Sequence, residues 1–277
     1  MKKNLAARLL VALIGVPLLI LVLAVLPPIF VPFALAVICG VSAVEFMTAV
    51  KKPDKRRIFI GPVLGAVTIP FGVYFGMREI AVPVCLYTVC VLMFTELMLS
   101  RRRKAEFGVT GALAGIFCGV VTPWFMSYLV ELKLSSNGTY LVLLPFVISM
   151  LSDAGGYFAG IAFGKYHPFP DISPKKSTEG CIGSLVFGAA CSMLYGFIAH
   201  LISGLEANYV NLALVGLAAN PFVQFGDLAF SAIKREVGIK DFSHLLGDHG
   251  GMQDRFDSMV FSVPVIYAMV LLMPVFA

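Results

Sequence analysis

Nine apolar stretches follow one another along this chain with little between them, and each has to be buried or placed in lipid. They run Leu9–Leu26, Ile29–Val50, Ile58–Phe75, Ile80–Leu99, Val109–Val130, Tyr140–Phe163, Cys181–Ile202, Tyr209–Ile233 and Phe256–Phe276. Most approach the ~20 residues that carry a helix across ~30 Å of hydrocarbon. Of the 277 residues 59% are hydrophobic and only 13% charged, too apolar for a soluble domain. The expected fold is therefore all-α, a polytopic integral membrane protein with about nine transmembrane helices. Pro27-Pro28 separates the first two stretches and suits a tight hairpin turn rather than a helix interior; one re-entrant unit is the other reading. Met1-Lys2-Lys3 before an apolar run imitates a secretory signal. No small-residue cleavage site follows and more spans do, so an uncleaved first helix is expected.

The connecting charges orient the spans. With the N-terminus inside and the spans alternating, the inside segments hold Lys2, Lys3 and Arg8; Lys51, Lys52, Lys55, Arg56 and Arg57; Arg101, Arg102, Arg103 and Lys104; Lys165, Lys175 and Lys176; and Lys234, Arg235, Lys240 and Arg255. These are 19 of the 21 basic residues, and only Arg78 and Lys133 fall outside. Such a bias sets an N-inside, C-outside topology. It also accounts for the net charge of +5 without nucleic acid as a partner. The clusters at 51–57 and 101–104 fix topology and lie near anionic headgroups. Lone Trp124 suits packing or an interfacial anchor. All six cysteines lie in apolar segments without a CxxC pair, which argues for buried packing rather than disulfides or zinc.

Polar residues concentrate in the second half. The sixth stretch carries Asp153 and then Gly156, Gly160 and Gly164, one helix face of small residues that lets another helix approach closely. A bare Asp in hydrocarbon costs about 2.5–3.5 kcal/mol, so Asp153 should face a polar cavity or an interhelical hydrogen-bond partner. The following loop, Pro170 to Gly180, places Lys175-Lys176 and Ser177-Thr178 just before a helix. That arrangement suits phosphate, although the glycine spacing of a P-loop is absent; a helix capped by Ser177 or Thr178 is the competing reading. In the eighth stretch Asn220-Pro221 should kink or interrupt the helix. Asp227 stands seven residues before Lys234, about 10 Å inward at 1.5 Å per residue.

The densest polar segment is Ser231 to Asp257, SAIKREVGIKDFSHLLGDHGGMQDRFD. Charge beside membrane segments tends to mark a functional site. Lys234, Arg235, Lys240 and Arg255 suit phosphate, whereas Asp241, Asp248, Asp254 and Asp257 suit a hard cation that takes oxygen ligands. His249-Gly250-Gly251 makes a turn whose bare backbone can approach a ligand. Asp257, three residues after Asp254, can share its helix face or cap the helix start. Together these residues point to metal-assisted chemistry on a polyphosphate.

The pattern Ser231-x-Ile233-Lys234-Arg235, Lys240-Asp241-x-Ser243 and His249-Gly250-Gly251-Met252-x-Asp254-Arg255-Phe256-Asp257 resembles the signature of the phosphatidate cytidylyltransferase (CDP-diacylglycerol synthase) family, its spacing kept over 27 positions. Ile172-Ser173-Pro174-Lys175-Lys176-Ser177-x-Glu179-Gly180 and the Asp153 to Lys165 stretch are similar to a second block of that family. Gly247-Asp248 departs from it, because many members carry Pro-Gly there. The resemblance covers residues 150–258 strongly, while the first 140 match only as hydrophobic spans. It implies a scaffold over 1–140 and a catalytic region over 141–277 with cytoplasmic loops 164–180 and 234–255.

The implied reaction joins CTP and phosphatidic acid to give CDP-diacylglycerol and pyrophosphate at a bacterial inner membrane, the active site facing the cytoplasm. The implied metal ligands are Asp227 and Asp254 with Asp257 close by, holding Mg²⁺ and room for a second, monovalent or divalent, cation. Asp227, Asp254, Lys234, Arg235, Lys240, Asp241, His249 and Arg255 are the catalytic candidates. Asp153, Lys165, Ser173, Lys175, Lys176, Ser177, Gly250 and Gly251 are the substrate-binding candidates. A lipid phosphate is ionised near neutral pH, so the reaction needs charge neutralisation and in-line positioning rather than a catalytic serine. The acyl chains would stay in the bilayer, and a homodimer is compatible with the sequence. Two alternatives remain at this point: a CTP-dependent polyprenol or phytol kinase, and an ion-coupled transporter using Asp153 and Asp227.

Overall fold

The computed structural model of the chain describes residues 13, 15, 17–50, 56–103, 107–247 and 250–276. Among them, eight helices are long and apolar enough to cross a membrane. They are α1 (Phe30–Val50), α2 (Ile60–Tyr74), α3 (Arg78–Arg103), α4 (Val109–Leu134), α5 (Leu144–Phe163), α6 (Thr178–Ser203), α7 (Tyr209–Glu236) and α8 (Gln253–Leu272). Each corresponds to one of the last eight apolar stretches, and the protein is an integral membrane protein. Of the first expected span, Leu9–Leu26, residues 9–12, 14 and 16 lie outside the described residues; residues 17–20 are helical and lead into a short π-helix at Leu21–Val25. Pro27-Pro28 makes the expected turn, with the Phe30 N–H donating to the Pro27 carbonyl at 3.0 Å.

The chain divides into two compact units, Met1–Leu134 with Val237–Phe256, and Ser135–Glu236 with Asp257–Ala277. The polar loop after α7 and the first turn of α8 thus belong with α1–α4.

In the first unit Ile69, Cys85, Val89, Met93, Ala112 and Val120 form a buried cluster, and Trp124 packs against it with Val82, Leu92, Phe107 and Ile116. Trp124 therefore serves packing. The two cations outside the charge bias have local partners here. Arg78 pairs with Glu79 and Glu131, both at 2.9 Å, and lies over the Tyr128 ring. Lys133 is buried and donates to the Ala24 carbonyl at 2.7 Å. A π-helical turn departs from the regular i→i−4 ladder, and Lys133 meets a carbonyl of that turn.

In the second unit the small-residue face of α5 packs on α6. A Cβ on Gly180 would meet the Gly156 carbonyl oxygen at 2.9 Å and the Gly160 Cα at 3.3 Å, so α5 and α6 approach backbone to backbone as the spacing predicts. α7 joins α6 by a polar ladder. Asn220 Nδ2 donates to the Ser184 carbonyl at 2.9 Å, and Gln224 Nε2 donates to the Cys181 carbonyl at 3.0 Å and to Asn220 Oδ1 at 2.6 Å. Of the kink or interruption expected at Asn220-Pro221, the interruption does not occur, and α7 runs through Pro221 as one helix. Asn220 is fully buried, and its bonds to α6 hold the segment helical where proline removes a backbone donor.

Candidate active site

Within the second unit, α5, α7, α8 and the loop before α6 bring five charged side chains together. Lys176 Nζ reaches Asp227 Oδ2 at 2.9 Å and the Gln224 carbonyl at 3.3 Å. Lys234 Nζ lies 3.5 Å from Asp257 Oδ2, with the two side chains only 10% and 11% exposed. Asp153 shares a hydrogen bond with the Ser258 side chain and feels the charges of Asp227 and Lys176. Asp257 in turn feels Lys234, Asp227 and Asp153. Gly226 makes room for this meeting of α7 and α8, because a Cβ there would lie 2.5 Å from the Asp257 carbonyl oxygen. Two ion pairs, Lys176–Asp227 and Lys234–Asp257, thus lie within electrostatic reach of each other and of Asp153, and pairs of this kind can exchange internal partners for phosphate. Asp153 thus has an interhelical partner in Ser258, one of its two expected settings.

The loop over residues 164–177 folds onto the start of α6. Ser177 is the N-cap and accepts from the Gly180 N–H at 3.1 Å. Glu179 Oε2 accepts from the backbone N–H groups of Lys165 and Tyr166 at 3.1 and 3.4 Å, tying the loop start to α6. Ser177 is buried, Ser173 half-buried, and Lys165 and Lys175 are exposed. Exposed Arg235 donates from Nε to the Ile172 carbonyl at 3.3 Å. An open groove of about 430 Å³ between α6 and α7 is lined by Phe169, Ile182, Leu185, Phe225 and Leu228.

The first unit holds the rest of the motif, and there a residue absent from the sequence-based set organises it. Glu45 of α1 is buried at 6% exposure. Its Oε1 accepts from the Ser243 hydroxyl at 2.6 Å and the Met252 N–H at 3.0 Å, and its Oε2 accepts from the Gln253 N–H at 2.9 Å. Phe46 stacks on Phe242 with ring centroids 5.2 Å apart. Asp254 Oδ2 accepts from the N–H groups of Phe242 and Gly251, both at 2.9 Å. Gly250 has φ +77°, and a Cβ on Gly251 would lie 2.6 Å from Glu45 Oε2; both positions require glycine. Lys240 and Arg255 are exposed and Asp241 is half-buried. Capping of α8 falls to Glu45 rather than to Asp257, which pairs with Lys234 instead. Asp248 and His249 lie outside the described residues. Glu45 did have a sequence signal: it is the only acidic or basic side chain in the α1 stretch FVPFALAVICGVSAVEFMTAV, and an intramembrane carboxylate asks for a partner.

Among the described residues no three His, Cys, Asp or Glu side chains are grouped to hold a metal by themselves. The donor set still fits Mg²⁺, which usually keeps several waters and binds through one or two carboxylates plus substrate phosphates. Asp227 and Asp257 supply hard oxygen donors of that kind.

Comparison with known proteins agrees with this chemistry. A model of the cytidylyltransferase family matches residues 6–273. The chain is similar to the phosphatidate cytidylyltransferase of Aquifex aeolicus (strain VF5), 40% identical over 146 residues, covering 52% of this chain and 51% of that one. It is similar to the phosphatidate cytidylyltransferase of Bacillus subtilis (strain 168), 33% identical over 186 residues, covering 66% of each chain. To that of Mycobacterium leprae (strain TN) it is 34% identical over 199 residues, 68% of this chain and 62% of the relative. The matches thus span about half to two thirds of the relatives' length. Since the family match runs almost from end to end and takes in both the carboxylate–lysine network and the loop held by Glu45, the chain belongs to the cytidylyltransferase family.

Proposed function

We propose that the chain transfers the cytidylyl group of CTP to phosphatidic acid, giving CDP-diacylglycerol and pyrophosphate. The observation that carries this reading is the network of Asp153, Asp227 and Asp257 with Lys176 and Lys234 in a membrane-embedded unit. A lipid phosphate oxygen attacks the α-phosphorus of CTP; the new P–O bond forms as the α–β bridging P–O bond breaks, and pyrophosphate leaves with that electron pair. Both reactants are anions, so the main task is charge neutralisation and alignment. Lys176 and Lys234 are held beside the reaction zone by their carboxylates and provide cationic donors for phosphate. Asp227 and Asp257 would hold Mg²⁺, which when bound polarises phosphoryl oxygens and eases departure of pyrophosphate. The apolar groove between α6 and α7 gives the acyl end of a lipid a place while its headgroup lies at the cations.

The basic residues of the connecting segments support an orientation with these groups on the cytoplasmic side of a bacterial inner membrane. The test is a detergent assay of the purified protein with α-³²P-labelled CTP, phosphatidic acid and Mg²⁺. Label entering the organic phase only when both phosphatidate and Mg²⁺ are present is the expected result. Folded protein that leaves all label in water, or that passes label from γ-³²P-CTP to lipid, overturns the proposal.

A further inference from the structure

We infer that Glu45 of α1 is a positioning residue for the loop carrying Lys240 and Asp241 and for the first turn of α8 with Asp254 and Arg255, so that the N-terminal helices are part of the catalytic apparatus. The role in turnover rests on the cytidylyl-transfer reading; the contact itself does not.

Glu45 fastens the loop at both ends. Ser243, three residues into the motif loop, and Met252 and Gln253, at the start of α8, all donate to one carboxylate. Glu45 and Asp254 work as a pair, since Asp254 Oδ2 gathers the Phe242 and Gly251 N–H groups from the same two ends. Four backbone N–H groups and one hydroxyl are thus satisfied by two side chains, and Phe46 covers them through Phe242. Among its described residues the loop between these anchors makes short local bonds, Gly247 N–H to His244 O at 3.0 Å, Leu246 N–H to Gly250 O at 3.0 Å and Gly250 N–H to Gly247 O at 3.2 Å. Without Glu45 the Ser243, Met252 and Gln253 donors lose their shared acceptor. Glutamine at position 45 keeps the shape but turns an NH₂ group toward an N–H, so at least one acceptor contact becomes a donor–donor clash.

Glu45 touches neither substrate nor metal in this assignment and acts through Lys240 and Arg255. Outer-layer partners of this kind typically alter affinity or activity by about 10–100-fold. For Glu45→Gln we expect kcat/KM for CTP to fall within that range with a raised KM for CTP, and Glu45→Asp to lie between it and the wild type. A variant that had merely lost active protein would show a lower kcat at unchanged KM, which overturns the positioning role. Hydrogen–deuterium exchange is the second readout, with faster exchange expected at peptides covering Phe242–Gln253 and none at α5–α6. Unchanged exchange there overturns the contact. If Glu45→Gln does not fold, Ser243→Ala, which removes one donor of three, should shift KM and exchange in the same direction by less; wild-type values for both overturn the inference. If wild-type protein shows no cytidylyl transfer, the proposed activity falls, and the exchange measurement alone decides the Glu45 contact.

Discussion

Lys234 and Asp257 stand 3.5 Å apart with side chains 10% and 11% exposed, so solvent screens them little. Replacing Lys234 by methionine keeps the stem volume and removes the charge, leaving the Asp257 carboxylate buried next to Asp227 and Asp153. Breaking one side of a buried pair costs about 3–5 kcal/mol. At 3.5 Å the pair is looser than an ideal charge-assisted bond of ~2.8 Å, and Asp257 keeps the Ser258 N–H at 2.8 Å, so the lower end, about 3 kcal/mol, is expected. Adding Asp257→Asn removes the stranded charge and should restore most of that loss, a coupling of about 2 kcal/mol in a double-mutant cycle. The assay is reversible unfolding in mixed micelles with rising SDS, followed by circular dichroism and the Trp124 fluorescence. Turnover should stay low in all three variants, because stability and charge supply to the substrate are separate demands. Equal stability of Lys234→Met and wild type, or strictly additive single variants, would refute the reasoning that this pair is a desolvated, mutually dependent unit.

Three further outcomes are expected. Asp227→Asn removes the partner of Lys176 and a proposed metal donor, so turnover should fall at least about 100-fold in the labelled-CTP assay with an unfolding midpoint near that of wild type; near-normal turnover would remove Asp227 from the site. Gly180→Val should separate α5 from α6, because its Cβ lies 2.9 Å from the Gly156 carbonyl oxygen; the expected loss is about 1–3 kcal/mol, read by the same SDS titration. Chelation with EDTA should abolish turnover and Mg²⁺ should restore it, whereas activity surviving exhaustive chelation would rule out the metal assignment.

Periodic features were legible in the sequence. Apolar length and the placement of Lys and Arg located the eight described spans, and the four-residue glycine spacing of α5 located its close neighbour. Asp153 and Asp227 stood out because a carboxylate in an apolar helix has few innocent explanations, and Asp257 because it closes the polar motif at the start of the last apolar stretch. What remained hidden was partnership over long separations. Nothing local ties Lys176 to Asp227, 51 positions away, or Glu45 to Ser243, 198 positions away. Pro221 read as a kink or an interruption because it lacks an N–H, and the helix continues through it with Asn220 and Gln224 binding it to α6 from outside its own ladder. The polar loop at 237–252 reads as an appendage of the catalytic half, yet it folds with α1–α4, and only the tertiary bonds of Glu45 and Phe46 reveal that.

The bond between Glu45 and its loop also sets an order of events during biosynthesis. At ~5–20 residues per second, the 198 positions between Glu45 and Ser243 correspond to about 10–40 s during which α1 has been made and its acceptors have no donors. Glu45 lies five residues before the end of α1 at Val50, about 7.5 Å along the axis, close enough to the membrane surface for its carboxylate to stay hydrated in the interval. A glutamate at the middle of the same helix would meet hydrocarbon for the whole wait. Its position near the helix end therefore reconciles early insertion of α1 with a binding partner that the ribosome delivers almost last.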